Sequence, residues 1–131
     1  MIGLDTNVLV RYLVEDDAQQ AARAAALIEE TTRHGEKLFV AAIVLCEVVW
    51  VLKVAYGRTR GEIAGALGEI LRTAQFVIQD ADLAYRALAS YQSGRADFAD
   101  YLLTEEVVKA GCEKLATFDK KLLEDGRCVK P

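Results

Sequence analysis

Histidine, proline and tryptophan are nearly absent from this chain of 131 residues, which has one of each. His34 lies in the polar stretch 31–37, which is typical of an exposed turn. A single histidine gives no support to a His-based nucleophilic triad, and the chain lacks the ligands of a zinc site. The one proline is terminal, so we predict no internal linker, and we find no repeat.

Cysteine, long apolar runs and glycine-rich phosphate-binding motifs are also scarce or missing. Cys46, Cys112 and Cys128 are odd in number and lack CxxC spacing, so we expect reduced thiols in a cytoplasmic protein. The longest apolar run contains a glutamate and is shorter than the roughly 20 residues of a membrane-spanning helix. We therefore expect no membrane span and no signal peptide.

The composition is that of a globular protein, with 53% hydrophobic residues, 27% charged residues and a net charge of −4. The length predicts one domain over residues 1–131. The negative charge does not suggest a protein that coats nucleic acid, but it leaves open a nucleic-acid enzyme whose acids bind metal.

Short apolar runs alternate with longer helical patterns. The predicted strands are 1–4, 38–40, 76–78, 115–118 and 128–129; the predicted helices are 6–14, 17–31, one that contains Glu47 and ends near 56–57, 59–73, 80–93 and 97–110. This alternation predicts an α/β fold with a parallel sheet and helices on both of its faces. Ligands of such sheets collect at the carboxyl ends of the strands.

Glu47 is the only charged residue in the apolar run 41–52. Its neighbours one helical turn away on either side are apolar, so we predict a carboxylate in apolar surroundings. Such a group takes up a proton or needs a compensating charge. An ion pair with Lys53 or Arg11 is an alternative that the sequence leaves open.

Four aspartates occupy suggestive positions. Asp5 and Asp119 end two predicted strands, while Asp97 and Asp100 open a predicted helix. Asp5, Asp97 and Asp119 are also good candidates for helix caps. Converging carboxylates repel one another unless a cation lies among them, and oxygen ligands favour Mg²⁺ or Mn²⁺. The pattern therefore indicates metal-assisted hydrolysis.

Asp100 is the hardest of the four to explain as a cap. It shares a helical face with Leu103 and Val107, so we predict that it points towards the core. Asp97 lies three residues away, where like charges are unfavourable even when they are exposed.

Four segments in this order resemble PIN-domain proteins of the VapC toxin type: residues 4–9 (LDTNVL), Glu47 followed by VVWVL, residues 97–100 (DFAD) and residues 116–119 (ATFD). The resemblance covers nearly the whole chain. It implies a three-layer α/β/α sandwich with a mostly parallel central sheet, and a Mg²⁺- or Mn²⁺-dependent endoribonuclease that holds one or two ions. Tyr101, Glu105 and Glu106 depart from the usual pattern.

The resemblance also implies roles for particular residues. The metal-binding and catalytic acids would be Asp5, Glu47, Asp100 and Asp119. Supporting positions would be Thr6, Asn7, Asp97 and Thr117. We expect the RNA substrate to be contacted by basic residues, for which the candidates are Arg11, Lys53 and Lys120.

The family's partners are part of the same expectation. Family members are toxins, usually homodimers, and each is restrained by a cognate VapB-like antitoxin that inserts into the active-site groove. Their substrate is RNA, with tRNA or rRNA as possible targets. The apolar helices at 42–55 and 63–71 are a candidate surface for the antitoxin.

Two other function classes remain open. A receiver-type signalling domain has a similar length and acids at strand ends, but its phosphorylatable aspartate on a middle strand and its late lysine are not evident here. A catalytically silent PIN-fold binding module is the second alternative, against which the intact set of acids argues.

Overall fold

A computed structural model describes residues 1–131 and contains six α-helices, five short strands and one 3₁₀ turn. In chain order these are β1 (Ile2–Gly3), α1 (Thr6–Val14), α2 (Ala18–Arg33), β2 (Leu38–Val40), α3 (Ala42–Val54), α4 (Arg60–Arg72), β3 (Phe76–Ile78), α5 (Ala81–Ser93), α6 (Phe98–Lys109), β4 (Leu115–Ala116), the 3₁₀ turn (Leu122–Glu124) and β5 (Cys128–Val129). The chain forms two compact units, Met1–Ala81 and Asp82–Pro131.

The first unit contains a three-stranded parallel sheet in the order β1-β2-β3. Leu38 of β2 pairs with Ile2 on one side and with Phe76 on the other. Leu38 and Val40 are completely buried, because helical crossovers follow β1 and β2. The predicted α/β fold class with parallel strands is confirmed.

Local capping explains why the helix boundaries were predictable. Asp17 is the N-cap of α2, and its side chain accepts a hydrogen bond from Gln20 N at 3.0 Å. Thr59 and Glu62 form a reciprocal capping box at the start of α4. The predicted bounds of all six helices agree with the structure to within a few residues.

Helix α3 differs from its prediction, because one of its faces is exposed. Ile43, Trp50 and Val54 are 67%, 64% and 61% exposed, and Glu47 is exposed on the same face. The opposite face is buried and consists of Val44, Leu45, Val48, Val49 and Leu52. Glu47 has the predicted apolar neighbours, but the prediction that it is buried among them is therefore wrong. Its cause is that the outward face is itself mostly apolar, so the sequence shows no polar stripe.

Helix α6 in the second unit also buries a different face from the predicted one. Leu103 is 45% exposed, so the prediction that it points to the core is wrong, whereas Asp100, for which the same was predicted, is half-buried. The buried residues include two polar ones, Thr104 and Glu105, which made the inward face look like an outward one. Thr104 Oγ1 donates to the backbone oxygen of Asp100 at 2.8 Å, which satisfies the buried hydroxyl group.

The buried Glu105 is paired through a cluster of three charged residues, which we call the Arg127 clamp. Arg127 Nη1 lies 2.7 Å from Glu105 Oε1, and Arg127 Nη2 lies 2.8 Å from Asp125 Oδ2. Arg127 Nε also donates to Asp125 Oδ1 at 3.0 Å. The clamp joins α6 to the segment that precedes β5, so Glu105 has a structural role.

Tyr101 is buried and lies against Gly94. Its hydroxyl oxygen accepts a hydrogen bond from Ala96 N at 3.2 Å. A Cβ atom on Gly94 would lie 1.9 Å from that oxygen, so the tyrosine needs a glycine there.

Strands β4 and β5 pair in parallel as a separate two-stranded sheet. Strand β4 ends at Ala116, two residues before its predicted end, although Thr117 N still donates to Val129 O at 3.0 Å. Phe118 is 78% exposed and lies outside the strand. None of the helices is long and apolar enough to span a membrane.

Candidate active site

Asp5 lies just beyond the carboxyl end of β1 and is the N-cap residue of α1. Its Oδ1 accepts a hydrogen bond from Thr6 N at 2.7 Å. An ordinary side-chain cap accepts from the second or third residue of the helix instead. The cap position is confirmed, yet this geometry leaves the other oxygen of the exposed Asp5 carboxylate without a hydrogen bond.

Thr6 connects this helix start to Glu47. The Thr6 side chain is buried, and its Oγ1 donates to Glu47 Oε2 at 2.9 Å. Helices α1 and α3 therefore bring Glu47 and Asp5 into the wall of one pocket of about 350 Å³, which we call the acidic pocket. Its lining residues are Asp5, Thr6, Asn7, Val10, Arg11, Glu47, Val51, Ala55 and Tyr56.

Arg11 lines the acidic pocket but pairs with Asp16 rather than Glu47. Its Nη1 donates to Asp16 Oδ1 at 2.8 Å and to Tyr56 Oη at 3.0 Å, and its Nε donates to Gln20 Oε1 at 2.7 Å. Tyr56 in turn donates to Asp16 Oδ2 at 2.9 Å. The Tyr56 hydroxyl and then Arg11 hold the pKa of Asp16 below its usual value.

Asp16, Gln20 and Tyr56 were not predicted from the sequence. Tyr56 lies beyond the end of α3, and nothing in its local sequence indicates that it approaches Arg11. Only the packing of α1 against α2 and α3 brings Gln20 and Tyr56 to Arg11. The predicted substrate-binding residue Lys53 is exposed on α3 and does not line the acidic pocket.

Three predicted acids lie in the second unit. Burial raises the pKa of Asp100, and the charges of Asp97 and Asp119 raise it further. Asp97 is the N-cap residue of α6, as predicted, but its side chain makes no capping hydrogen bond. The Asp100 carboxylate is therefore in an environment that opposes its charge, as is common where a cation or substrate binds.

Asp119 lies just before the 3₁₀ turn, whose N-cap residue is Lys121 rather than the predicted Asp119. Its Oδ1 accepts a hydrogen bond from Leu122 N at 2.9 Å, next to the 3₁₀ turn. Asp119 N donates to Thr117 Oγ1 at 3.0 Å, so Thr117 orients the backbone at this acid. Lys120 is exposed beside it.

The chain does not assemble three or more acidic, histidine or cysteine side chains into a group that would hold a metal ion. Mg²⁺ keeps several water ligands, however, and is often bound through only one or two carboxylates. Asp5 and Glu47 share one pocket, and each has one oxygen without a hydrogen bond. This donor set fits Mg²⁺ or Mn²⁺.

The PIN domain family model matches residues 2–125. The chain belongs to the PIN-domain family. The predicted family is thereby confirmed, and so is the PIN-like α/β fold class. A protein named VapC ribonuclease, from Aquifex aeolicus (strain VF5), is 27% identical to this PIN domain over 129 residues, which are 98% of this chain and 95% of the relative.

Proposed function

We propose that this PIN domain is a Mg²⁺- or Mn²⁺-dependent endoribonuclease that hydrolyses RNA phosphodiester bonds as the toxin of a type II toxin–antitoxin pair. The observation that supports this most directly is the hydrogen bond from Thr6 to Glu47, which holds a second carboxylate in the same pocket as Asp5. The similarity to a protein named VapC ribonuclease supports the choice of reaction.

In this proposal one nuclease domain spans residues 1–131, since the family model runs through both compact units. Its metal ligands and catalytic acids are Asp5, Glu47, Asp100 and Asp119. One or two bound divalent ions would make a water molecule more acidic and stabilise negative charge on the phosphate.

The side chains around the acids then have distinct tasks. Thr6 orients the Glu47 carboxylate, and Thr117 orients the backbone at Asp119. Asn7 and Asp97 are supporting residues. The exposed Lys53 and Lys120, together with Arg11, would attract the phosphate backbone, because carboxylates alone would repel it.

The proposed partners are an RNA substrate, such as tRNA or rRNA, and a cognate VapB-like antitoxin, with the toxin itself a homodimer. The exposed apolar face of α3 supports a protein partner, because large apolar side chains at the surface favour association. Glu47 lies within that face, so a partner covering it would also obstruct the acidic pocket.

The test is cleavage of a mixed tRNA and rRNA pool by protein freed of any co-purifying partner. It is run with Mg²⁺, with Mn²⁺ and with EDTA, beside Asp5→Asn and the control Glu29→Gln, an exposed acid on α2. We expect cleavage to need the metal and to fall at least about 100-fold in Asp5→Asn, with Glu29→Gln unaffected. Cleavage that persists in EDTA or in Asp5→Asn contradicts the proposal.

The second candidate is a catalytically silent binding module. It is favoured by the lack of any group of three acids close enough together to hold a metal ion. Isothermal titration with Mg²⁺ and Mn²⁺ separates the two candidates. Neither cleavage nor metal binding would make the silent module the better assignment.

A further inference from the structure

Helices α1 and α2 of the first unit border a second open cavity of about 410 Å³, which we call the α1–α2 groove. Its lining residues are Asn7, Val8, Arg11, Gln20, Arg23, Ala24 and Leu27. Asn7 and Arg11 also line the acidic pocket, so the groove adjoins that pocket. Its volume is within the range of about 300–1,000 Å³ that is typical of small-ligand sites.

Two arginine side chains, Arg11 and Arg23, give this groove positive charge, and the Arg11 guanidinium is held in place by its neighbours. Asp16, Gln20 and Tyr56 hold the Arg11 guanidinium through its Nη1 and Nε, while its Nη2 has no hydrogen-bond partner. Arg23 is exposed and makes no hydrogen bond or ion pair. Asp16 offsets the charge of Arg11, whereas no acidic side chain offsets the charge of Arg23. Arginine pairs well with phosphate because its planar fork matches the phosphate oxygens.

The rest of the wall suits a nucleobase. Val8 and Leu27 are half-buried and Ala24 is buried, which gives the groove an apolar surface. The Asn7 amide, also in the wall, has no hydrogen-bond partner of its own, and asparagine amides pair with the edges of bases. Phosphate-binding and base-binding groups therefore lie side by side, next to the acidic pocket.

We infer that the α1–α2 groove is a subsite for a nucleotide of single-stranded RNA that flanks the cleaved phosphodiester. This inference rests on the proposed ribonuclease function and extends it to the path of the substrate. Arg23 and Arg11 Nη2 contact a phosphate, Asn7 contacts a base edge, and the apolar wall packs against the base. An unpaired cation here offsets the repulsion between the RNA backbone and the neighbouring carboxylates.

The test measures binding of a fluorescently labelled 12-nucleotide single-stranded RNA, by anisotropy, in the uncleaving Asp5→Asn background. Arg23→Ala is compared with Arg33→Ala, which removes another exposed arginine of the same helix from outside the groove. We expect Arg23→Ala to weaken binding about fivefold and to reduce the slope of log Kd against log salt by about 0.7, as for one lost phosphate contact. Arg23→Lys should keep most of the salt dependence.

The outcomes separate this inference from the ribonuclease proposal. Equal effects of Arg23→Ala and Arg33→Ala, or no RNA binding by any form, overturn the groove assignment even where wild-type protein cleaves RNA. A selective loss in Arg23→Ala supports it even where no cleavage is found. A variant that binds RNA normally but loses a co-purifying protein would assign the groove to that partner instead.

Discussion

Among single residues, the buried Thr6 hydroxyl is the clearest link between fold and proposed chemistry. Thr6→Val keeps the side-chain volume but removes the donor to Glu47 Oε2. Since that bond fixes the orientation of the carboxylate, we expect kcat for RNA cleavage to fall about tenfold, equivalent to about 1.4 kcal/mol. The measurement is single-turnover cleavage at saturating metal concentration.

Thr31→Val is the matched control for this substitution. Thr31 is equally buried, and its hydroxyl donates to the backbone oxygen of Leu27 at 2.8 Å, away from the acids. Both variants should lose about 1 kcal/mol of stability or less, but only Thr6→Val should lose activity. An equal loss of activity in both would assign the Thr6 effect to stability alone.

Replacing the Asp100 carboxylate should stabilise the folded protein but abolish its activity. The folded-state pKa of Asp100 is raised, so ionisation costs the folded state stability: the cost is absent below the usual pKa, grows as pH rises through the raised pKa and is complete above it. Asp100→Asn should therefore raise Tm at pH 7 in EDTA and leave it unchanged near about pH 3. RNA cleavage should be abolished.

The control for Asp100 is Glu106→Gln, an exposed acid of the same helix. It should change neither Tm nor cleavage appreciably. A lower Tm for Asp100→Asn at pH 7 would contradict the unfavourable environment assigned to this carboxylate.

Residue types and positions predicted the acids, but not their surroundings. Glu47 was predicted because it is a lone charge in an apolar run, and Asp5 because it ends a strand. Arg11 on α1 contacts Asp16, between α1 and α2, and Tyr56, just beyond α3, so these contacts depend on how the helices pack. No local pattern encodes such a contact, so it had to come from the structure.

At the scale of elements, the Arg127 clamp connects α6 to the segment before β5 through ion pairs. Arg127→Ala would leave the buried Glu105 carboxylate without its cation, and removing one partner of a buried pair is costly. Since Arg127 itself is half-buried, we expect a loss of about 2 kcal/mol, measured as a lower midpoint of urea unfolding.

Arg95→Ala is a suitable comparison, because it breaks an ion pair with Glu124 that is exposed on both sides. Exposed pairs contribute about 0–1 kcal/mol, so this variant should unfold close to the wild-type midpoint. Equal losses in the two variants would show that burial of Glu105 does not determine the cost.

Element existence was more predictable than element orientation. Caps such as Asp17 and Thr59 are local signals, and they set helix ends correctly. The inward face of α6 was not predictable from periodicity, because it includes the polar residues Thr104 and Glu105. Arg127, the partner of Glu105, lies nearby only after the chain has folded.

At the scale of the whole molecule, a metal ion should stabilise the folded chain. Mg²⁺ at ten times its Kd would add about 1.4 kcal/mol if it binds only the folded state, and Tm should rise by a few degrees. The double variant Asp5→Asn, Glu47→Gln should lose most of this shift. NaCl of matched ionic strength is the control, and an equal shift with NaCl would contradict specific binding.

The alternation of short strands and long helices predicted the parallel sheet, because parallel strands need helical crossovers. The chain length predicted a single domain, a prediction that the two compact units neither establish nor exclude. The composition did not predict two compact units, because no linker-like segment separates them in the sequence.

The fluorescence of Trp50 can report on the outward face of α3. Trp50 is the only tryptophan in the chain, it is 64% exposed, and it lies one turn from Glu47 on the same face. Its emission maximum should be red-shifted in the isolated protein and should move to shorter wavelength when any molecule covers this face. The native chain therefore contains an optical reporter for the occupancy of this surface, without a dye or an added label.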